Sequence, residues 1–281
     1  GHKVAICEQM EDPKLAKGLV KRDIIRVITP GTVLEKSMLD ETRNNFICSL
    51  NVVGKCAGVC FADISTGELH ATLLAAKNKG EFEEQLQSEL SRFSPREILI
   101  NQGVLDLKGF PEFIKQRLSA SIELLDDEKF DIGAAAPVLQ KQFNKTPEEL
   151  QLTDKPEICG ALGALLGYLK ETERTGLENM DRIDLYSGEQ YMKLNLTTRR
   201  NLELMETMRN KEKRGSLLWV LDRTRTAMGK RLIRSWIERP LLKPAAISRR
   251  LNAVEELTCD SILRDSLSEQ LYGVHDLERL M

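Results

Sequence analysis

The residues best placed to do chemistry are carboxylates around one short segment, FADISTGELHAT, from Phe61 to Thr72. Asp63 would end one strand, Glu68 would begin the next, and Asp106 lies further along the chain. A two-metal nuclease needs several carboxylates converging on ions roughly 3.5–4 Å apart. A turn separates Asp63 from Glu68 and no second carboxylate stands at a matching strand end, so the spacing favours Asp63 capping its own turn. Phosphate-loop chemistry needs a glycine five positions before Gly-Lys, and a Ser or Thr after it. The pairs Gly54-Lys55 and Gly229-Lys230 have Ser49 and Thr224 at that earlier position, and neither lysine precedes Ser or Thr. No serine sits in a G-x-S-x-G elbow.

Cys7, Cys48, Cys56, Cys60, Cys159 and Cys259 form no C-x-x-C pair, and His2, His70 and His275 lie near no thiol pair. They read as reduced thiols of a cytoplasmic protein, not as zinc ligands. The sequence therefore nominates no catalytic, cofactor-binding or metal-binding residue, and the chain reads as something other than a self-contained enzyme.

The 281 residues suffice for two compact domains, and 41% apolar with 30% charged is an ordinary globular balance. With a net charge of −2, any basic surface must be local. One such region exists. Arg199 to Arg239 holds twelve Lys or Arg against five Asp or Glu. Arg199, Arg200, Arg225, Lys230 and Arg234 are candidate contacts to DNA phosphates or an acidic partner; the competing reading is a set of solvated helix faces. Met228, Leu232 and Trp236 recur at i, i+4, i+8 and are expected in a core, where Trp236→Ala would cost roughly 3–5 kcal/mol. The longest apolar block, Ile158 to Leu169, contains Gly163 and Gly167 and is too short to span a bilayer, so it reads as a buried helix. No membrane association and no signal peptide are expected. The chain opens directly on a strand-like run and closes inside a helical pattern, as if excised from a longer protein.

The elements that would position these residues fall into three stretches. Val4–Cys7 and Asp23–Ile28 read as strands, with a helix from Asp12-Pro13 to Gly18 between them, and Leu34–Asn45 as a linker. Phe46–Val52, Cys56–Asp63 and Glu68–Leu74 read as antiparallel strands joined by short glycine turns. A helix through Phe82, Leu86 and Leu90 follows, then strand 97–100, helix 112–118 and strand 121–125. The expected fold is thus α/β with a mixed sheet over 41–150, followed by an all-α portion over 151–281 and preceded by a small α/β piece over 1–40. Helices are expected near 158–169, 197–209, 216–221, 226–237, 245–257 and 262–271.

Several collinear motifs resemble the MutS DNA mismatch-repair family. They are VAICEQMEDP (Val4–Pro13), KRDIIRVITPGT (Lys21–Thr32), FADISTGE, SRFSPREILI (Ser91–Ile100), LTTRRNLEL (Leu196–Leu204), GSLLWVLDRT (Gly215–Thr224), RTRTAMGKRLIRSWIERPL (Arg223–Leu241) and RLNAVEEL (Arg250–Leu257). Thr226, Met228, Gly229, Arg231, Leu232, Trp236 and Pro240 carry the signature of the last long block. The resemblance implies the end of a mismatch-recognition domain, a ribonuclease-H-like connector domain and the first part of a helical core, or lever, domain. It also implies that the intact protein is a homodimer that binds mispaired duplex DNA, hydrolyses ATP with Mg, and engages a MutL-type partner partly through the connector. The family's mismatch-reading Phe-X-Glu has no counterpart by position: Phe82-Glu83-Glu84 and Phe110-Pro111-Glu112 match only in letters. Two alternatives remain, a family paralogue acting in recombination and an autonomous ribonuclease-H-like metal-dependent nuclease. The segment Val4–Thr32 argues against the first, because such paralogues commonly lack the recognition domain.

Overall fold

The computed structural model describes residues 3–11, 20–172, 177–187 and 190–280. β1 (Val4–Gln9) and β2 (Arg22–Ile28) pair antiparallel, with a register shift between Ile6 and Cys7. The helix expected between them lies outside the described residues. β3 (Ile47–Val53), β4 (Cys56–Asp63) and β5 (Glu68–Ala75) form the expected antiparallel meander. Its second turn places Gly67 at φ +74°, a conformation that a side chain would disfavour. β6 (Glu97–Ile100) adds parallel to β3, β7 (Ser121–Leu124) parallel to β6, and β8 (Asp184–Leu185) parallel to β5. The strand order is β7-β6-β3-β4-β5-β8.

Both faces of this sheet are covered, which is why β3 is buried along nearly its whole length rather than on alternate residues. On one face lies α1 (Lys79–Phe93), started by Asn78, whose side chain accepts from the Glu81 N–H, and ended at Ser94 in the left-handed region. Its Phe82, Leu86 and Leu90 pack with Cys48, Leu50, Phe61 and Ile98, joined by Phe110 of α2 (Phe110–Phe113) and by Ile114 of the π-helical turn that continues it. On the other face, α3 (Ile132–Phe143) and α4 (Pro156–Thr172) cover Ile47, Cys60, Ala62, Ala71 and Leu99. The helix at 132–143 has no clear signal in the sequence. Pro137 interrupts its pattern, and only Ala135 and Leu139, at i and i+4, are buried.

α4 is the buried helix expected from the apolar block, but it belongs to the sheet. Ile158, Leu162, Leu165, Leu166 and Leu169 complete the core beneath β3, β4 and β5. The helix that follows residue 150 thus has its apolar partners on the sheet.

The helical portion comprises α5 (Leu196–Asn201), α6 (Leu217–Leu221), α7 (Ala227–Glu238), α8 (Pro244–Cys259) and α9 (Ser261–Leu271). α5 is shorter than expected; the chain turns after it, with Glu203 at φ +48°. Burial here is slight. Leu194, Leu204, Leu218 and Ile237 form a small cluster, and α8 and α9 contribute no buried residue.

The expected Met228, Leu232, Trp236 core stripe is not buried. Leu232 is 53% exposed and Trp236 37%, while Arg231 and Ile237 occupy the inward face of α7. None of the three stripe residues belongs to the cluster around Leu204, Leu218 and Ile237, whereas Arg231 meets carboxylates. Trp236 instead lies beneath the Arg250 guanidinium, 3.7 Å from the ring centroid. In this chain Trp236→Ala should lower the unfolding free energy by only about 0.5–1 kcal/mol, the size of an exposed cation–π contact. Urea denaturation of the two proteins measures this, and a loss near the core value would mean that the ring is covered in solution.

Candidate functional site

The buried charges of the molecule gather where its three stretches meet. The first gathering is at Glu97, the opening residue of β6, which is only 1% exposed. Its Oε2 accepts from the Thr29 hydroxyl and, at 3.0 Å, from the Gly31 N–H. Its Oε1 accepts from the Tyr168 hydroxyl of α4 at 2.7 Å. One carboxylate thus ties the segment after β2 to the sheet and to α4. Burial, then Glu97 itself, pushes the Tyr168 phenol well above its ordinary range, so it stays a donor.

The linker forms the second gathering. Asp63 is fully buried; its Oδ2 accepts from Asn44 Nδ2 and the Asn45 N–H, both at 3.0 Å. Its Oδ1 accepts from the Ser65 N–H at 3.0 Å and the Ser65 hydroxyl at 2.6 Å. The turn-capping role expected for Asp63 is present, together with a hold on the linker. With both oxygens engaged, the nuclease reading is not favoured, and among the described residues no group of three or more His, Cys, Asp or Glu could hold a metal ion. Glu68 pairs instead with His70, and Asp106 is exposed.

From the helical side, Arg279 donates to the carbonyls of Asp40 (2.9 Å) and Arg43 (2.7 Å). Arg231 donates to the Glu41 carbonyl at 3.3 Å and pairs with Asp276 and Glu278, each at 2.6 Å. Burial opposes the Arg231 charge, but these carboxylates outweigh it and raise the pKa.

The third gathering joins α1 to the helical portion. Arg92 pairs with Glu89 at 2.8 Å and faces the rings of Tyr186 and Tyr191 at 5.2 and 4.9 Å. Glu89 also accepts from the Tyr186 hydroxyl at 2.9 Å. Arg239 lies 4.2 Å from the Phe93 ring centroid, and the Met192 N–H donates to the Pro240 carbonyl at 2.8 Å. Burial raises the Glu238 carboxyl although Arg234, Arg199 and Arg239 surround it.

Beside this junction, His70 Nδ1 lies 2.8 Å from Asp184 of β8 and Nε2 3.1 Å from Glu68. Burial would lower its pKa, but the two carboxylates prevail and raise it above 6.5. A raised histidine stabilises the fold fully below its unfolded pKa, and this contribution disappears as pH rises through the folded value. Glu68 and Asp184 are both lowered, Glu68 against its burial, so their share is present above their unfolded values and lost in acid. The stability difference between the wild type and His70→Gln should be largest at about pH 5–6.5 and shrink toward about pH 9. Denaturation midpoints across that range test this, and a difference that grows with pH would refute the bridge.

The proposed basic stripe is divided. Arg200 and Arg225 are exposed, Arg225 donating to Ser268 at 3.3 Å. Arg199, Lys230 and Arg234 are half-buried and turned toward the junction and the linker, and Arg231 is buried. Of the other signature residues, Thr226 caps α7 by accepting from the Gly229 N–H at 3.0 Å. A Cβ on Gly229 would meet Thr224 and Thr226 at 3.1 Å. Sequence reasoning missed Glu97, Glu89, Arg92 and Arg279. Glu97 had one available signal, a lone charge at the head of the apolar run EILI.

Three family models, described as MutS domain I, MutS domain II and MutS domain III, match residues 1–37, 45–183 and 197–281 in that order. The chain is 43% identical over 281 residues to the DNA mismatch repair protein MutS of Ruminiclostridium cellulolyticum, covering 100% of the chain and 32% of that relative. It is 44% identical over 283 residues to the protein of the same name from Alkaliphilus oremlandii, again covering 100% of the chain and 32% of the relative. The corresponding protein of Caldanaerobacter subterraneus subsp. tengcongensis is 42% identical over 280 residues, with the same 100% and 32% coverage. The chain spans about a third of the length of these relatives.

Proposed function

The chain belongs to the MutS family, and from that premise we propose that it is the structural and coupling portion of a mismatch-repair protein. The observation that carries this reading is the interlock of the three stretches through buried charges: Glu97 between the first and the sheet, Asp63 and Arg279 across the linker, and Arg92 with Glu89 and Tyr186 toward the helices. A displacement of residues 29–31 would reach β6 and α4 through one carboxylate, and a displacement of the linker would reach α7 through Arg231 and the 277–279 turn through Arg279. Separating any of these buried pairs would leave a charge or a donor unmet in the interior, which suits them to carrying a displacement from one stretch to the next.

In this reading residues 1–40 are the end of the mismatch-recognition domain. The connector runs from 41 through α4 and β8, and the helical core begins near residue 196. The connector's likeness to a ribonuclease-H fold is supported by its strand order, a three-stranded antiparallel meander extended from its first strand by two parallel strands. The intact protein would be a cytoplasmic homodimer that binds mispaired duplex DNA, hydrolyses ATP with Mg, and meets a MutL-type partner partly through the connector. Neither Gly-Lys pair forms a phosphate loop: Gly54-Lys55 lies in a hairpin turn, and Gly229-Lys230 lies in the first turn of α7 under the Thr226 cap. No step of ATP hydrolysis is assigned to them. Arg200 and Arg225 are the residues of the basic stripe best exposed for contact with DNA or a partner.

The test is binding to a fluorescent duplex carrying a G·T mismatch against the perfect duplex, at low and physiological salt. The coupling reading expects weak, salt-sensitive binding without preference. Phe82 and Phe110 are buried in the connector core and unavailable to a base. A clear preference for the mismatch would overturn the assignment.

A further inference from the structure

A cleft of about 180 Å³ opens between the linker, the loop before α6, and α7. Arg43, Lys211, Lys230 and Arg234 line it. Among the described residues none of these four side chains donates a hydrogen bond. Arg43 Nε stands 3.7 Å from Asp40, Lys230 Nζ 3.9 Å from Glu41 and Arg234 Nη1 3.8 Å from Glu238, all beyond hydrogen-bond reach. Among the described residues Lys211 has no ion pair and Arg234 Nε, which is buried, has no acceptor. A buried donor such as Arg234 Nε is costly to leave unmet.

The carboxylates of the cleft cannot answer them, because two are already occupied. Asp40 Oδ1 accepts from the Thr42 N–H and hydroxyl at 2.8 and 2.7 Å. Asp222 accepts from Lys213 at 2.6 Å and from the Thr224 hydroxyl at 2.6 Å. Both are held below the ordinary carboxylate range; burial opposes this, and the hydrogen bonds outweigh it. The cleft thus holds four cations, three of them in ion pairs too long for a hydrogen bond, and one exposed carboxylate, Glu206, over a floor that includes Leu218.

We propose that this cleft is a binding site for a phosphate-class dianion, whose several oxygens would accept from Arg234, Lys211, Lys230 and Arg43 together. Charge-assisted bonds of this kind are about twice as strong as neutral ones. The volume admits one or two phosphoryl groups, so the source is either a free phosphorylated small molecule or the backbone of a nucleic acid.

Calorimetric titration of the whole chain with pyrophosphate, against chloride at matched ionic strength, tests the site. Saturable binding is expected, weakened about tenfold or more in Lys211→Gln/Arg234→Gln. It should be unchanged in Lys115→Gln, which removes an exposed cation outside the cleft. Competition then assigns the source: displacement by ADP indicates a free nucleotide, displacement by a short duplex indicates backbone phosphate, and displacement by neither leaves the inorganic anion. If the double variant fails to fold, Lys211→Gln alone, on an exposed loop, should still weaken binding several-fold. Heat that does not saturate, or that Lys115→Gln reduces as much as the cleft variants do, overturns the proposal.

Discussion

Replacing Glu97 by alanine should lower the unfolding free energy by about 3–5 kcal/mol, the cost of removing one partner from a buried charged network. Three donors lose their acceptor at once: the Thr29 hydroxyl, the Gly31 N–H and the Tyr168 hydroxyl. Thr29 is 1% and Tyr168 5% exposed, so water cannot replace the carboxylate without opening the packing. Gly31 adds a geometric constraint, because a Cβ there would lie 2.8 Å from Ile47 Cβ and 3.0 Å from Glu97 Cβ. Glu97→Gln keeps an amide oxygen and the side-chain volume, and should lose roughly 1–2 kcal/mol. Urea denaturation gives the magnitude. Amide hydrogen exchange at Gly31 gives the location, since its protection should fall in both variants and most in the alanine. An alanine variant as stable as the wild type, with Gly31 still protected, would show that Glu97 does not tie the segment after β2 to the sheet.

The second large effect is expected at Gly58 in β4. A Cβ built there lies 2.0 Å from the Glu157 carbonyl oxygen and 2.5 Å from the Ile158 nitrogen, both backbone atoms of the first turn of α4. No rotamer relieves a contact with main chain, so Gly58→Ala must lift the helix from the sheet, at about 3 kcal/mol or more, the upper end of overpacking costs. Gly160 is similar, its Cβ falling 2.1 Å from the Phe130 carbonyl oxygen. Gly167 is the control: a Cβ there meets nothing within 4 Å. As a helix-interior glycine, it should gain about 0.5–1 kcal/mol on replacement by alanine. Thermal melts of the two variants should therefore move in opposite directions, and a Gly58→Ala protein melting with the wild type would mean that α4 stands further from β4.

These two sites differ in how far they could be foreseen. The meander was legible because short apolar runs joined by short glycine turns leave few other pairings, and β4 and β6 have the bounds that the pattern implied. The caps at Asn78 and Thr226 follow from local chemistry as well. The apolar block of α4 announced burial, yet nothing local said against what, and a helix buried nearly all round can serve a sheet or a bundle equally. The sequence spacing pairs Gly163 with Gly167, whereas the close approaches are made by Gly160 and by Gly163, which faces Ala135.

Periodicity, turn chemistry and the absence of phosphate-loop spacing are properties of neighbouring residues, so the strands, most of the helices and the lack of a nucleotide loop were decided along the chain. The partners of buried charges were decided in three dimensions. Asp63 and Arg279 act on the linker from opposite ends of the sequence, and Glu97 meets Thr29 and Tyr168 across long separations. The inward face of α7 was settled the same way: Trp236 has the apolar surface, but Arg231 has the carboxylates, and an arginine held by Asp276 and Glu278 takes the buried position. A charge can be buried only where its counter-charges wait, and their position is a property of the folded chain.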